Sequence, residues 1–171
     1  MTDKRLAGLM IVAALVFSAV DFAYFYNRLP PQVASHFNFQ GNPDGWTSKQ
    51  AFVGLAVAVI LMIGGTFASI ALFIRHVPLS LMSLPNKAYW TATERVQETR
   101  EYIGLWCLWF GAATLWQLAL VFHKAFVANL RQPVQLQGVW ELMFIYLAVA
   151  VYLLIRMFLR FRMPVNTHSA A

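Results

Sequence analysis

Hydrophobic residues in this chain gather into four long runs, each long enough to cross a bilayer. The runs cover residues 6–26, 51–74, 102–122 and 139–159. A helix needs roughly 20 apolar residues to cross the hydrocarbon of a bilayer. The second and third runs hold no charged residue. The first holds only Asp21, and the fourth holds Glu141 near its start and Arg156 near its end. A long basic side chain at a span end can reach the headgroups. Helices satisfy their own backbone within one segment, as lipid requires. The pattern therefore predicts an all-α membrane protein, a four-transmembrane-helix bundle. It is expected to form a single domain over residues 1–163, with a flexible tail at 164–171. A cleaved signal peptide is not expected, because the first run is too long and lacks a small-x-small cleavage site.

Polar positions fall between the runs, and their basic residues give the bundle a direction. Lys4, Arg5, Arg75, Lys87, Arg95, Arg100, Arg156, Arg160 and Arg162 make nine on one side; Arg28, Lys49, Lys124 and Arg131 make four on the other. The excess of Lys and Arg marks the cytoplasmic side. Both termini and the middle loop are thus expected inside, and the 27–50 and 123–138 loops outside. With 60% hydrophobic and 12% charged residues, against about a quarter charged in a soluble domain, the net charge of +6 belongs to span ends. Nucleic acid is not an expected partner; the lipid bilayer is. The single cysteine, Cys107, excludes an internal disulfide framework and any multi-cysteine metal site.

The outer loop can be read residue by residue. Leu29-Pro30-Pro31 ends the first helix, since proline cannot continue one and restricts the residue before it. Asn42-Pro43-Asp44-Gly45 has the sequence of a type I turn. Thr47 or Ser48 suits the N-cap of the second span. Between these, His36-Phe37-Asn38-Phe39 alternates polar and apolar side chains, which predicts a short ordered segment lying extended over the helix ends. Trp46 is expected in the interfacial aromatic belt.

In the inner loop, Pro78 and Pro85 break the chain after the second span. Thr91-Ala92-Thr93-Glu94 has the spacing of a capping box. Glu94, Arg95, Glu98, Arg100 and Glu101 then suggest a charged helix running into the third span, with Tyr89 and Trp90 at headgroup level. Two readings stand: an amphipathic connector on the inner leaflet, or a docking site for a cytoplasmic protein at residues 84–101, marked by Pro85, Asn86, Tyr89 and Trp90.

Small residues recur on one face of each span: Ala7, Ala14 and Ser18; Gly54, Ala58, Gly65 and Ser69; Gly104, Cys107 and Gly111; and Ala148. Such stripes let helix backbones approach closely in lipid. Asp21 continues the Ala14–Ser18 stripe and is expected to face the interior, because a carboxylate facing lipid costs about 2.5–3.5 kcal/mol on insertion scales. Gln117 sits at the same depth in the third span, His123 follows its end, and Glu141 enters the fourth span from the same side. An outer polar cluster of Asp21, Gln117, His123 and Glu141 is expected, roofed by the His36–Trp46 loop with its Asn38 and Asp44.

Two motifs carry a resemblance. Leu29-Pro30, His36-Phe37-Asn38, Gly41, Asp44-Gly45-Trp46 and Ser48-Lys49 together resemble a widespread bacterial membrane domain of unknown function. It is the module found at the N-terminus of SdpI-type toxic-peptide immunity proteins. Leu84-Pro85-Asn86-Lys87-Ala88-Tyr89-Trp90 followed by Glu94-Arg95 is similar to the continuation seen in stand-alone members. The resemblance implies a multi-pass protein of the bacterial cytoplasmic membrane, related to immunity proteins but shorter than they are.

Three functions remain in view. The first is a non-enzymatic binding or sensing module that recognises a peptide or envelope ligand through the outer loop. The second is a small membrane enzyme using outer carboxylates and histidines, with zinc as an option since His36, Asp44, His123 and Glu141 are ligand types for it. No metal-motif spacing joins those four, and no nucleophile–base signature, phosphate-binding glycine loop or HExxH motif occurs, so neither a metal nor another cofactor is expected. The third is an accessory subunit or small transporter. The absence of helix-breaking residues at mid-depth gives that reading little support.

Overall fold

A computed structural model of the chain describes residues 2–74, 76–78, 81 and 83–162. Arg75, His168 and the 164–171 tail lie outside the described residues. In chain order the elements are α1 (Thr2–Tyr26), β1 (Gln32–Phe37), β2 (Pro43–Ser48), α2 (Lys49–Phe73), a short α3 (Lys87–Trp90), α4 (Val96–Asn129) and α5 (Val139–Arg160). Among the described residues, α1, α2, α4 and α5 are long and apolar enough to cross a membrane. The fold is the four-helix membrane bundle that the apolar runs predict.

Its packing is organised by α4, against which α1, α2 and α5 all pack. At 34 residues and 1.5 Å per residue, α4 is roughly 50 Å long, well beyond the ~30 Å hydrocarbon layer. It is therefore longer than one crossing of the bilayer requires. The expected third span, 102–122, is only its middle. His123 is not at a helix end but within the helix, more than a turn before Asn129.

The core is aromatic where α1, α2 and α4 meet near the hairpin. Phe126, fully buried, receives the rings of Phe22, Phe25 and Phe52 at centroid distances of 5.3, 5.6 and 5.9 Å. Offset and edge-on ring pairs of this kind add to area burial. Towards the other end, backbones close up: a Cβ on Gly111 of α4 would stand 2.6 Å from Cγ of Phe67 on α2.

The small-residue stripes are only partly interior. Ala7, Ala14 and Ser18 are buried, as are Gly104, Cys107 and Gly111. Gly54, Ala58, Gly65, Ser69 and Ala148 are exposed, which corrects the expectation for the second and fourth spans. α2 instead buries Phe52, Val53, Ala56, Ile60 and Gly64, a face on which Phe52 meets Phe126 and Gly64 lies beside Leu15 and Leu115. α5 buries no residue and leans on α4 as the outermost helix.

At the end opposite the hairpin, the Leu84–Trp90 motif seals the end of α5. Asn86 takes a left-handed conformation, φ +52°, and its side-chain amide donates to the Phe161 carbonyl at 3.0 Å. The Trp90 indole donates to the same oxygen at 3.0 Å, and Thr99 Oγ1 donates to the Trp90 carbonyl at 2.8 Å. Arg160 pairs with Glu98 and lies over the Trp90 ring at 4.6 Å. Tyr89 is covered by Arg95 at 4.0 Å, and Pro85 is half-buried in the turn before α3. The expected capping box is not formed. Thr91 Oγ1 donates back to the Lys87 carbonyl at 2.8 Å, so it closes α3, and α4 starts only at Val96 with no side-chain cap on Arg95.

Candidate functional site

The loop between α1 and α2 is a two-stranded antiparallel hairpin. Gln32 pairs with Ser48, Val33 with Thr47, Ala34 with Trp46, His36 with Gly45 and Phe37 with Pro43. The register shifts on either side of His36, as β-bulges do. The expected turn at Asn42–Gly45 is not there, since Pro43–Ser48 is strand β2. The chain reverses earlier. Asn38 Oδ1 accepts from the N–H groups of Gln40 and Asn42, both at 3.0 Å, and Gly41 takes φ +81°, a conformation that favours glycine. An Asn side chain that captures two local amides is a turn in itself, and Pro43 is tolerated as the first residue of a strand. Ser48 is the N-cap of α2, its Oγ accepting from the Ala51 N–H at 3.2 Å.

Three attachments hold the hairpin down. The first is Asn129, 5% exposed at the end of α4. Its Oδ1 accepts from Ala34 N–H at 2.6 Å, and its Nδ2 donates to the carbonyls of Ala34 at 3.0 Å and Ala125 at 2.9 Å. The second is the tip: Leu136 N–H donates to the Gly41 carbonyl at 2.9 Å, so close that a Cβ on Gly41 would meet the Leu136 oxygen at 2.2 Å. The third is Trp140 of α5, whose indole donates to the Phe39 carbonyl at 3.2 Å and whose ring lies 4.5 Å from that of Phe39. Phe39 and Trp46 remain 72% and 54% exposed, displayed on a fixed frame.

The sequence-expected polar residues separate into distinct groups. His36 Nδ1 and Asp44 Oδ1 are 2.5 Å apart across the hairpin, with side chains 75% and 42% exposed. Asp21 faces the interior as expected, 8% exposed. Its Oδ1 lies 2.8 Å from Nδ1 of His123. Its other oxygen, Oδ2, is buried without a hydrogen-bond partner among the described residues. Gln117 is not part of this group. It lies six residues before His123, a rotation of about 240° along a helix, and its amide meets Met143 Sδ on α5 at 3.2 Å. Glu141 does not reach Asp21 either, but it lines a cavity of about 510 Å³ whose wall includes His123, Lys124, Arg131 and Gln137. Asn38 serves its own turn. Among the described residues, no three His, Cys, Asp or Glu side chains stand together as metal ligands would.

Asn129, Leu136 and Trp140 were not singled out by sequence reasoning. Asn129 follows Lys124 by five residues, where the apolar run has already ended and a loop is expected. Only the placement of an uncharged amide one turn after Ala125 could have hinted at a continuing helix.

These features define a multi-pass membrane protein with an ordered hairpin clamped over one end of the bundle. Residues 9–63, from within α1 through the hairpin and into α2, match the family described as Domain of unknown function (DUF1648). Searches of curated proteins and of solved structures returned no match.

Proposed function

We propose that this chain is a non-enzymatic recognition module of the bacterial cytoplasmic membrane. Its hairpin end faces outward and its termini lie in the cytoplasm, as the nine-to-four division of basic residues favours. The hairpin engages a peptide or envelope ligand through Phe39 and Trp46. The observation that carries this reading is the clamping of the hairpin by Asn129, Leu136 and Trp140 while two large aromatic side chains stay uncovered. A linker needs no such frame, whereas a binding surface loses less entropy on complex formation if it is fixed beforehand. The resemblance to immunity proteins suggests a membrane-active toxic peptide as the ligand.

A survival assay tests it. Cells sensitive to such a peptide should survive better when they make the intact chain, and Phe39→Ser with Trp46→Ser should lose that protection at equal protein abundance. Equal killing with and without the intact chain contradicts the proposal.

The Asp21–His123 pair favours a second reading, a small membrane enzyme. A buried carboxylate on Nδ1 fixes the ring tautomer and leaves Nε2 to accept a proton. In an enzyme, His123→Gln would abolish function while the hairpin stays folded. In a recognition module, that variant would protect cells as well as the parent does.

A cytoplasmic protein would dock on residues 84–101. Asn86 and Trp90 are engaged with Phe161, which leaves the exposed face of 93–101 as the surface such a partner would meet.

A further inference from the structure

The cavity between the end of α4 and the start of α5 holds charges of both signs that do not close on each other. Lys124 stands beside His123 on α4, and Glu141 on the first turn of α5. Measured from the Cβ position that Gly138 lacks, Lys124 Nζ lies at 2.6 Å and Glu141 Oε2 at 3.8 Å. Neither belongs to any ion pair found among the described residues. Arg131 stands on the same wall, and among the described residues its guanidinium reaches the Gln137 side-chain oxygen, at 3.4 Å. On the remaining side His123 has Nδ1 committed to Asp21, so Nε2 is the ring nitrogen left for a ligand, an acceptor in the neutral ring.

We infer that this cavity binds a phospholipid headgroup of the phosphoethanolamine type. The phosphate sits between Lys124 and Arg131, close to the uncapped start of α5, and the ammonium sits between Glu141 and the His123 ring. A purely anionic group would leave Glu141 facing like charge, and a purely cationic one would leave Lys124 and Arg131 so; a zwitterion satisfies both sets. A lipid is the source because the cavity lies where two membrane spans end. The exposed Phe144 and Ile145 of α5, at 68% and 63%, continue from Glu141 as a surface for acyl chains. The inference is independent of what the hairpin recognises.

Native mass spectrometry of the purified full chain in detergent tests it, with equimolar phosphatidylethanolamine and phosphatidylglycerol of matched acyl chains. The protein should retain the ethanolamine lipid by roughly tenfold over the glycerol lipid, the scale of one charge-assisted hydrogen bond. Glu141→Gln should bring the two to near parity, and Lys124→Gln should lower both. Equal retention by the parent protein, or an unchanged preference in a folded Glu141→Gln, overturns the assignment. A comparison that needs no variant is phosphatidylcholine, whose methylated ammonium has no N–H to donate. It should be retained several-fold less, about one hydrogen bond's difference, and equal retention overturns the ammonium site. Soluble phosphoethanolamine binding as tightly as the lipid would overturn the lipid as the source.

Discussion

The amide and the carbonyl of Ala34 both depend on one side chain, that of Asn129. A buried donor left without a partner costs about 1–3 kcal/mol. Asn129→Ala should therefore lower thermal stability in detergent by about 2–3 kcal/mol and loosen the hairpin together with it. Hydrogen exchange at Ala34 reads the second effect, and a protected Ala34 amide in the variant would contradict the clamp. The His36–Asp44 pair makes the opposite case. Both side chains are open to water, His36 largely so, and an exposed pair of this kind contributes about 0–1 kcal/mol. His36→Ala should leave the melting temperature nearly unchanged, so any loss of function in that variant would report on a ligand rather than on folding.

At the scale of elements, the hairpin tip and the α2–α4 contact are the sensitive places. Gly41→Ala forces a side chain into a left-handed backbone and against the Leu136 carbonyl, which should cost about 2 kcal/mol or more. Gly111→Val drives a branched side chain into Phe67 and should cost about 1–3 kcal/mol. Gly54→Ala meets nothing within 4 Å and should stay within about 0.5 kcal/mol; denaturation of the three variants side by side checks the ranking. The four membrane helices were legible because apolar runs of that length leave lipid few other structures. The hairpin was half legible. The extended segment and the Ser48 cap were readable, but Pro-Asp-Gly pulled the expected turn to 42–45, when Asn38 and Gly41 make the reversal through tertiary contact with Leu136. The face of α2 was misread because small residues signal close packing only where a partner backbone comes near, and the sequence does not say which face meets Phe126. Asp21's inward direction followed from spacing. Its partner His123 was placed at the right end, but Gln117 was grouped with it by depth alone, without the rotation that six residues impose.

For the molecule as a whole, the proposed recognition of an outside ligand hangs on which side of the membrane the hairpin occupies. Gln40 at the hairpin tip and Gln97 at the start of α4 are both exposed, at opposite ends of the bundle. The one native thiol, Cys107, is buried within α4 and can be replaced by alanine to give a silent background. In that background, a cysteine at position 40 should react with a membrane-impermeant thiol reagent in intact cells, while a cysteine at position 97 should react only after the membrane is opened. Labelling at 97 but not at 40 in intact cells would put the hairpin in the cytoplasm and contradict an outward-facing recognition surface.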